Sequence, residues 1–180
     1  MNIAIIGLGL IGGSYAKATK SRTLHTVYGY DLDQEVMMFA RMTGAMDKAL
    51  TDELLRECDL VITALRPAAA IQWTKEHAAI LGEAKCVLVD ICGVKRAVVG
   101  EMAALAAENG YRYIGGHPMA GKETGGFVNA TESLFEDLRN AGNYNTVHNI
   151  LMIFFVKFYN VFAYRPYIKH FLLPLFSKTV

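Results

Sequence analysis

Apolar residues arrive along this chain in short solid blocks separated by longer stretches in which they recur on one side. The blocks run Ile3 to Ile6, Thr26 to Tyr30, Asp59 to Leu65, Cys86 to Ile91 and Tyr111 to Ile114. Blocks this short, bounded by Gly and polar residues, predict strands covered on both faces, as in a parallel sheet. The spacing between them predicts helices from about Ile11 to Thr19, Gln34 to Thr43, Pro67 to Leu81 and Lys95 to Glu108. Val36, Phe39, Ala40 and Met42 form an imperfect apolar stripe on the second. Gly44 suits its C-terminal cap, Thr51 the N-cap of a further short helix, and Pro67 the first turn of the helix it opens. A short strand is expected near Ala45 to Asp47. Strand and helix therefore alternate. That order predicts an α/β fold with a doubly wound, mostly parallel sheet and right-handed crossovers.

The first crossover carries the first chemistry. Gly7, Gly9 and Gly12 follow the opening strand in G-x-G-x-x-G spacing, and a helix begins at once. Gly7 permits a tight turn, Gly9 a close approach of backbone to a pyrophosphate, and Gly12 close packing of helix on strand. The helix N-terminus points free N–H groups and a positive dipole end at the phosphates. This is the pattern of a Rossmann-type dinucleotide site, and the cofactor-binding candidates are Gly7, Leu8, Gly9, Leu10, Ile11 and Gly12.

Asp31 stands at the end of the second strand, about twenty residues on, where a carboxylate accepts from the adenosine ribose hydroxyls. It would repel the 2′-phosphate of NADP, and Leu32 and Asp33 offer no cation to receive one, so NAD is expected over NADP. The alternative makes Asp31 the N-cap of the next helix, a role open equally to Asp33. Ligands of doubly wound sheets lie beyond the carboxyl ends of the strands. Gly7, Asp31, Leu65, Gly93 and His117 all fall at such ends, so they are expected to line one cleft. His117 is followed by Pro118, which restricts it to extended backbone, and glycines flank the pair. An imidazole held there beside a nicotinamide can take a proton from a hydroxyl as hydride leaves its carbon. The plainer alternative is a turn histidine that bonds backbone.

Composition adds an asymmetry. The formal net charge is +1, which gives no electrostatic case for nucleic acid. Through Asp137, however, thirteen Lys and Arg face all seventeen acids, a net of −4, and from Leu138 five basic residues and no acid give +5. Ten of the 19 aromatic residues lie in those last 43 positions. Such a break divides the chain into a nucleotide-binding domain, 1–137, and a tail, 138–180, of different origin. Cys58, Cys86 and Cys92 fit no zinc spacing and cannot all pair. They read as reduced thiols of a cytoplasmic protein, and no targeting segment is expected before a strand that starts at Asn2.

Three segments together carry a resemblance: Gly7-Leu8-Gly9-Leu10-Ile11-Gly12-Gly13-Ser14, Asp90-x-x-Gly93-Val94-Lys95, and His117-Pro118-Met119-Ala120-Gly121-Lys122-Glu123-x-Gly125-Gly126. In order and spacing, residues 1 to about 136 resemble the prephenate dehydrogenase family. The third segment is far more specific than the glycine turn. The resemblance implies NAD(P)-dependent oxidative decarboxylation of prephenate to 4-hydroxyphenylpyruvate in tyrosine biosynthesis, with arogenate as the alternative small-molecule substrate. It implies that His117 is the catalytic residue, bonding the 4-hydroxyl and accepting its proton as a neutral imidazole. Position 93 often carries a serine beside the nicotinamide in this family; here it is Gly93, and a supporting hydroxyl is missing. Lys95, Lys122 and Glu123 stand open between ligand and structural roles, as do Ser14 and Thr63 between flanking the cofactor and ordinary packing.

Family members continue into a mostly helical domain that supplies the dimer interface and much of the substrate pocket. No match to it is expected after about residue 136. The tail admits three readings. It could span a membrane, but Lys157 interrupts a short apolar run, and a spanning helix needs about 20 apolar residues. It could lie at an interface as a cationic helix. The loss of acids with enrichment in Phe, Tyr, Ile and Asn favours the third, a truncated or frameshifted product in which activity is reduced or lost. A non-catalytic nucleotide-binding or membrane-associated module is the competing functional class.

Overall fold

A computed structural model of the chain describes residues 1–118 and 120–135. The tail, and with it the proposed division at 137, lies outside the described residues.

Six strands alternate with five helices. In chain order they are β1 (Asn2–Ile6), α1 (Leu10–Arg22), β2 (Thr26–Tyr30), α2 (Gln34–Met42), β3 (Lys48–Ala49), α3 (Asp52–Arg56), β4 (Leu60–Thr63), α4 (Pro67–Ala84), β5 (Val87–Asp90), α5 (Val99–Asn109) and β6 (Arg112–Gly115). Short 3-10 turns sit at Lys95–Ala97 and Phe127–Asn129. Every strand pair is parallel, and the order across the sheet is β3-β2-β1-β4-β5-β6. The order reverses direction between β1 and β4, the switch point at which doubly wound sheets bind ligands.

The solid apolar blocks are explained by cover on both faces. Ile3 and Ile5 point to one side, where Tyr15 and Ala16 of α1, Ala40 of α2, Phe127 and Phe135 complete a core. Ala4 and Ile6 point to the other, against Leu55, Trp73, Leu81 and Met102 of α3, α4 and α5. Central strands β4 and β5 are buried at every position.

Four boundaries differ from the pattern read in the sequence. Helix α1, expected to stop at Thr19, runs on to Arg22, and Thr23 closes it by bonding the Thr19 carbonyl through both its N–H and its hydroxyl. The third strand is at Lys48–Ala49 rather than Ala45 to Asp47. Ala45 and Met46 instead plug the core under β2, and the Asp47 carboxylate is drawn to the Val27 N–H at 2.7 Å and the Lys20 ammonium at 2.8 Å. Helix α4 runs on to Ala84 instead of stopping at Leu81. Gly82 lets it, because a methyl group there would meet the Asn109 carbonyl oxygen of α5 at 2.1 Å. The helix expected from Lys95 is broken: a 3-10 turn ends at Val98, whose N–H bonds the Lys95 carbonyl, and α5 starts anew. The C-terminus of α2 is as expected. Gly44 adopts φ +68°, and the Ala45 N–H reaches back to the Ala40 carbonyl at 2.9 Å, the longer bond of a Schellman end.

No described helix is long and apolar enough to cross a membrane.

Candidate functional site

The strand register gathers the chemistry at one edge. Ile6 pairs with Tyr30 on one side and Thr63 on the other; Thr63 pairs with Asp90, and Asp90 with Gly115. The five strands therefore end level. Their next backbone bonds, from Gly7 to Tyr30, Ala64 to Ile6, Ile91 to Thr63 and Gly116 to Asp90, continue the ladder by one step before the loops diverge.

In the first loop each glycine has a measurable reason. Gly7 sits at φ +88°, and a side chain there would meet the Ala64 carbonyl oxygen at 2.8 Å. A Cβ on Gly12 would lie 1.8 Å from the Gly7 carbonyl oxygen, so α1 packs against the turn only because position 12 is bare. Gly9 is different: nothing lies within 4 Å of its missing side chain. It is the N-cap of α1, and no side chain caps that helix end. Leu8 is fully buried, and the N–H groups of the first helical turn have no partner within α1. Leu10 and Ile11 supply two of them.

Asp31 closes this loop from β2. Its Oδ2 accepts from the Leu8 N–H at 2.7 Å and its Oδ1 from the Asp33 N–H at 3.0 Å. It does not cap α2. Asp33 does, accepting from Glu35 at 2.9 Å and Val36 at 3.4 Å. A carboxylate has about four acceptor positions, so two remain on Asp31 for hydroxyl donors.

At the far end of the edge, Gly93 and His117 come together. The nearest atom to a Cβ built on Gly93 is the His117 Nε2, at 3.8 Å. His117 is half-buried, directly after the Gly116 backbone bond to Asp90. Beneath both loops lies a cluster built on Asp90. Asp90 is fully buried and accepts from the Tyr113 hydroxyl at 2.6 Å, the Cys92 N–H at 2.9 Å and the Lys95 ammonium. Burial, and then the Asp90 charge, push the Tyr113 phenol far above its ordinary pKa, so it stays protonated and donates. Lys95 is thus engaged in an ion pair. The available signal in the sequence was an acid ending an otherwise apolar strand, with a cation five residues on.

Other candidates turn inward. Ser14 Oγ donates to the Leu10 carbonyl and accepts from the Thr131 N–H, and Thr63 Oγ1 donates to Val89; both are buried packing groups. Lys122 donates to the Asn129 carbonyl at 3.0 Å and ties its own loop, while Glu123 is exposed. The three thiols are free and buried, with burial pushing each up to about 12. Among the described residues, no three or more His, Cys, Asp or Glu side chains are grouped so as to hold a metal ion.

A level parallel edge, a bare glycine turn at the switch point and a strand-end carboxylate holding that turn define a nucleotide-binding domain of the Rossmann type. The comparisons agree. The family model described as "Prephenate dehydrogenase, nucleotide-binding domain" matches residues 15–140, and the chain belongs to that family. It is 32% identical to prephenate dehydrogenase of Bacillus subtilis (strain 168) over 138 residues, which are 75% of this chain and 37% of that protein. The solved arogenate dehydrogenase of Synechocystis superposes with a TM-score of 0.67 at 27% identity, covering 75% of this chain and 47% of that one. Prephenate dehydrogenase from Aquifex aeolicus, solved with hydroxyphenyl propionate and NAD+, superposes with a TM-score of 0.58 at 27% identity, covering 74% and 47%. The chain therefore spans 37–47% of the length of these relatives.

Proposed function

We propose that this chain forms the NAD-binding part of a prephenate dehydrogenase, with His117 as the proton acceptor. The single observation that carries the reading is the shared edge: the glycine turn and Asp31 stand at one end, and Gly93 and His117 face each other at the other. The α1 N-terminus would hold the pyrophosphate of a dinucleotide and Asp31 its adenosine ribose, and the residues that follow β5 and β6 would receive its nicotinamide. Bound there, the nicotinamide supplies the hydride acceptor. The part of this chain is to orient and to move a proton. Gly7, Gly9 and Gly12 let the backbone close on the pyrophosphate, with Leu8, Leu10 and Ile11 forming the loop around it. Asp31 accepts from the ribose. Gly93 leaves room beside His117, whose neutral imidazole accepts the proton of the substrate's ring hydroxyl as hydride and carbon dioxide leave.

Calorimetry with NAD, followed by prephenate-dependent NADH formation, tests this in two stages. The expected outcome is NAD binding by the purified 180-residue chain, with turnover well below that of a full-length relative because the residues matched are only 37% of such a protein. A folded sample that binds no NAD sinks the reading. His117→Asn, placed in a chimera with a relative's remaining domain, is expected to spare NAD binding and lower turnover by about 100-fold or more. The likeness to the Synechocystis arogenate dehydrogenase makes arogenate the second substrate to offer the same chimera.

A further inference from the structure

Asp90 is the only buried acid among the described residues. A buried ion pair is a poor device for stability, since well-packed apolar residues of the same volume serve equally well. What distinguishes this carboxylate is where its bonds go. Oδ1 takes the Cys92 N–H on one side of Gly93 and the Lys95 ammonium on the other. Oδ2 takes the hydroxyl of Tyr113, on the strand that leads into His117. The Asp90 carbonyl accepts from Gly116, the residue before His117, at 2.7 Å. The corner is closely packed: a Cβ on Gly115 would lie 3.3 Å from Val99 Cγ2 and, in ordinary contact, 3.5 Å from Asp90 Oδ2 and the Tyr113 hydroxyl.

One residue thus ties down both loops that approach each other at Gly93 and His117. We propose that Asp90 is a positioning residue which, through Lys95 and Tyr113, holds the Gly93 loop against His117 and so shapes the nicotinamide end of the site. The inference rests on the dinucleotide reading above. Asp90 touches neither cofactor nor substrate; it acts through the loops.

ADP-ribose and NADH separate this role from general support of the fold. ADP-ribose engages the glycine turn and Asp31 but lacks the nicotinamide. Calorimetry on the 180-residue chain should show tighter binding of NADH than of ADP-ribose. In Asp90→Asn, NADH affinity should fall by about tenfold, the cost of leaving buried donors poorly paired, while ADP-ribose affinity holds. Tyr113→Phe removes one bond and keeps the ion pair, so the same split is expected at smaller size. Should Asp90→Asn fail to fold, Tyr113→Phe decides. Equal losses for both ligands, or no loss for either, overturn the proposal. So does a wild-type chain that binds the two ligands equally, because then nothing at the nicotinamide end remains to be positioned. A wild-type chain that binds neither refutes the dinucleotide reading itself, a result separate from any change confined to the variants.

Discussion

At the scale of single residues, Asp31 shows how one side chain can serve the fold and a ligand together. Its bond to the Leu8 N–H fixes the glycine turn before any ligand arrives, so the turn is preorganised. Asp31→Ala removes that anchor together with the acceptor proposed for ribose. NAD affinity is expected to fall by about 10- to 100-fold, in line with about 1.5–3 kcal/mol for hydrogen bonds to a charged group. The proposed preference for NAD over NADP should narrow in the same titrations, since the repelling charge is gone. The cysteines give a second prediction. Burial lifts their folded pKa to about 12 from an ordinary 9.0, so the fold favours the protonated thiols. Their contribution to stability is complete below 9.0 and is lost as pH rises through about 12. Native protein near neutral pH should react slowly with a thiol-directed disulfide reagent and fully after denaturation. Chemical denaturation at a series of alkaline pH values should show stability falling above 9.0. Asp31 was legible in the sequence as a strand-end acid; its grip on Leu8 was not, because that bond joins residues 23 positions apart.

At the scale of elements, local chemistry set most boundaries and packing set the rest. Thr51 caps α3 through its bond to Leu54, Gly44 ends α2, and Pro67 opens α4, each as the sequence pattern implies. Gly82 is the counter-example. Local propensity makes a glycine near the end of an apolar stripe a stop, yet α4 passes through it because α5 presses its Asn109 carbonyl into the space. Gly82→Ala therefore puts two effects in opposition. Alanine improves helix propensity by about 1 kcal/mol, while its methyl would sit 2.1 Å from a backbone oxygen. Overpacking at backbone is the larger, about 1–3 kcal/mol or more, so thermal unfolding should show a lower Tm. The broken helix after β5 has the same kind of cause: Lys95 turns back to a buried carboxylate instead of extending a helical face.

At the scale of the whole molecule, the glycine turn and the His117 loop stand at opposite ends of one level edge, joined by a sheet whose every strand pair is parallel. A ligand laid along that edge couples several elements. Saturating NAD is thus expected to raise Tm, with about 2.7 kcal/mol of added stability at a ligand concentration 100 times Kd, measurable by scanning calorimetry. No rise at any NAD concentration would count against the site as drawn. By itself the sequence determined the α/β alternation, the glycine turn, the acid at the end of β2 and the family. Those are carried by short-range patterns: apolar blocks, bare positions at fixed spacing, and a loop motif around His117. Only the tertiary structure decided that Asp33 rather than Asp31 caps α2, that Ser14 and Thr63 are packing groups, and that Gly93 faces His117 over a buried Asp90. The Asp33 cap is itself local, but Asp31 is drawn away to Leu8, Ser14 to Thr131, Thr63 to Val89 and Gly93 to His117 by contacts between segments far apart in the chain, and the packed sheet, not spacing along the chain, brings such residues within reach.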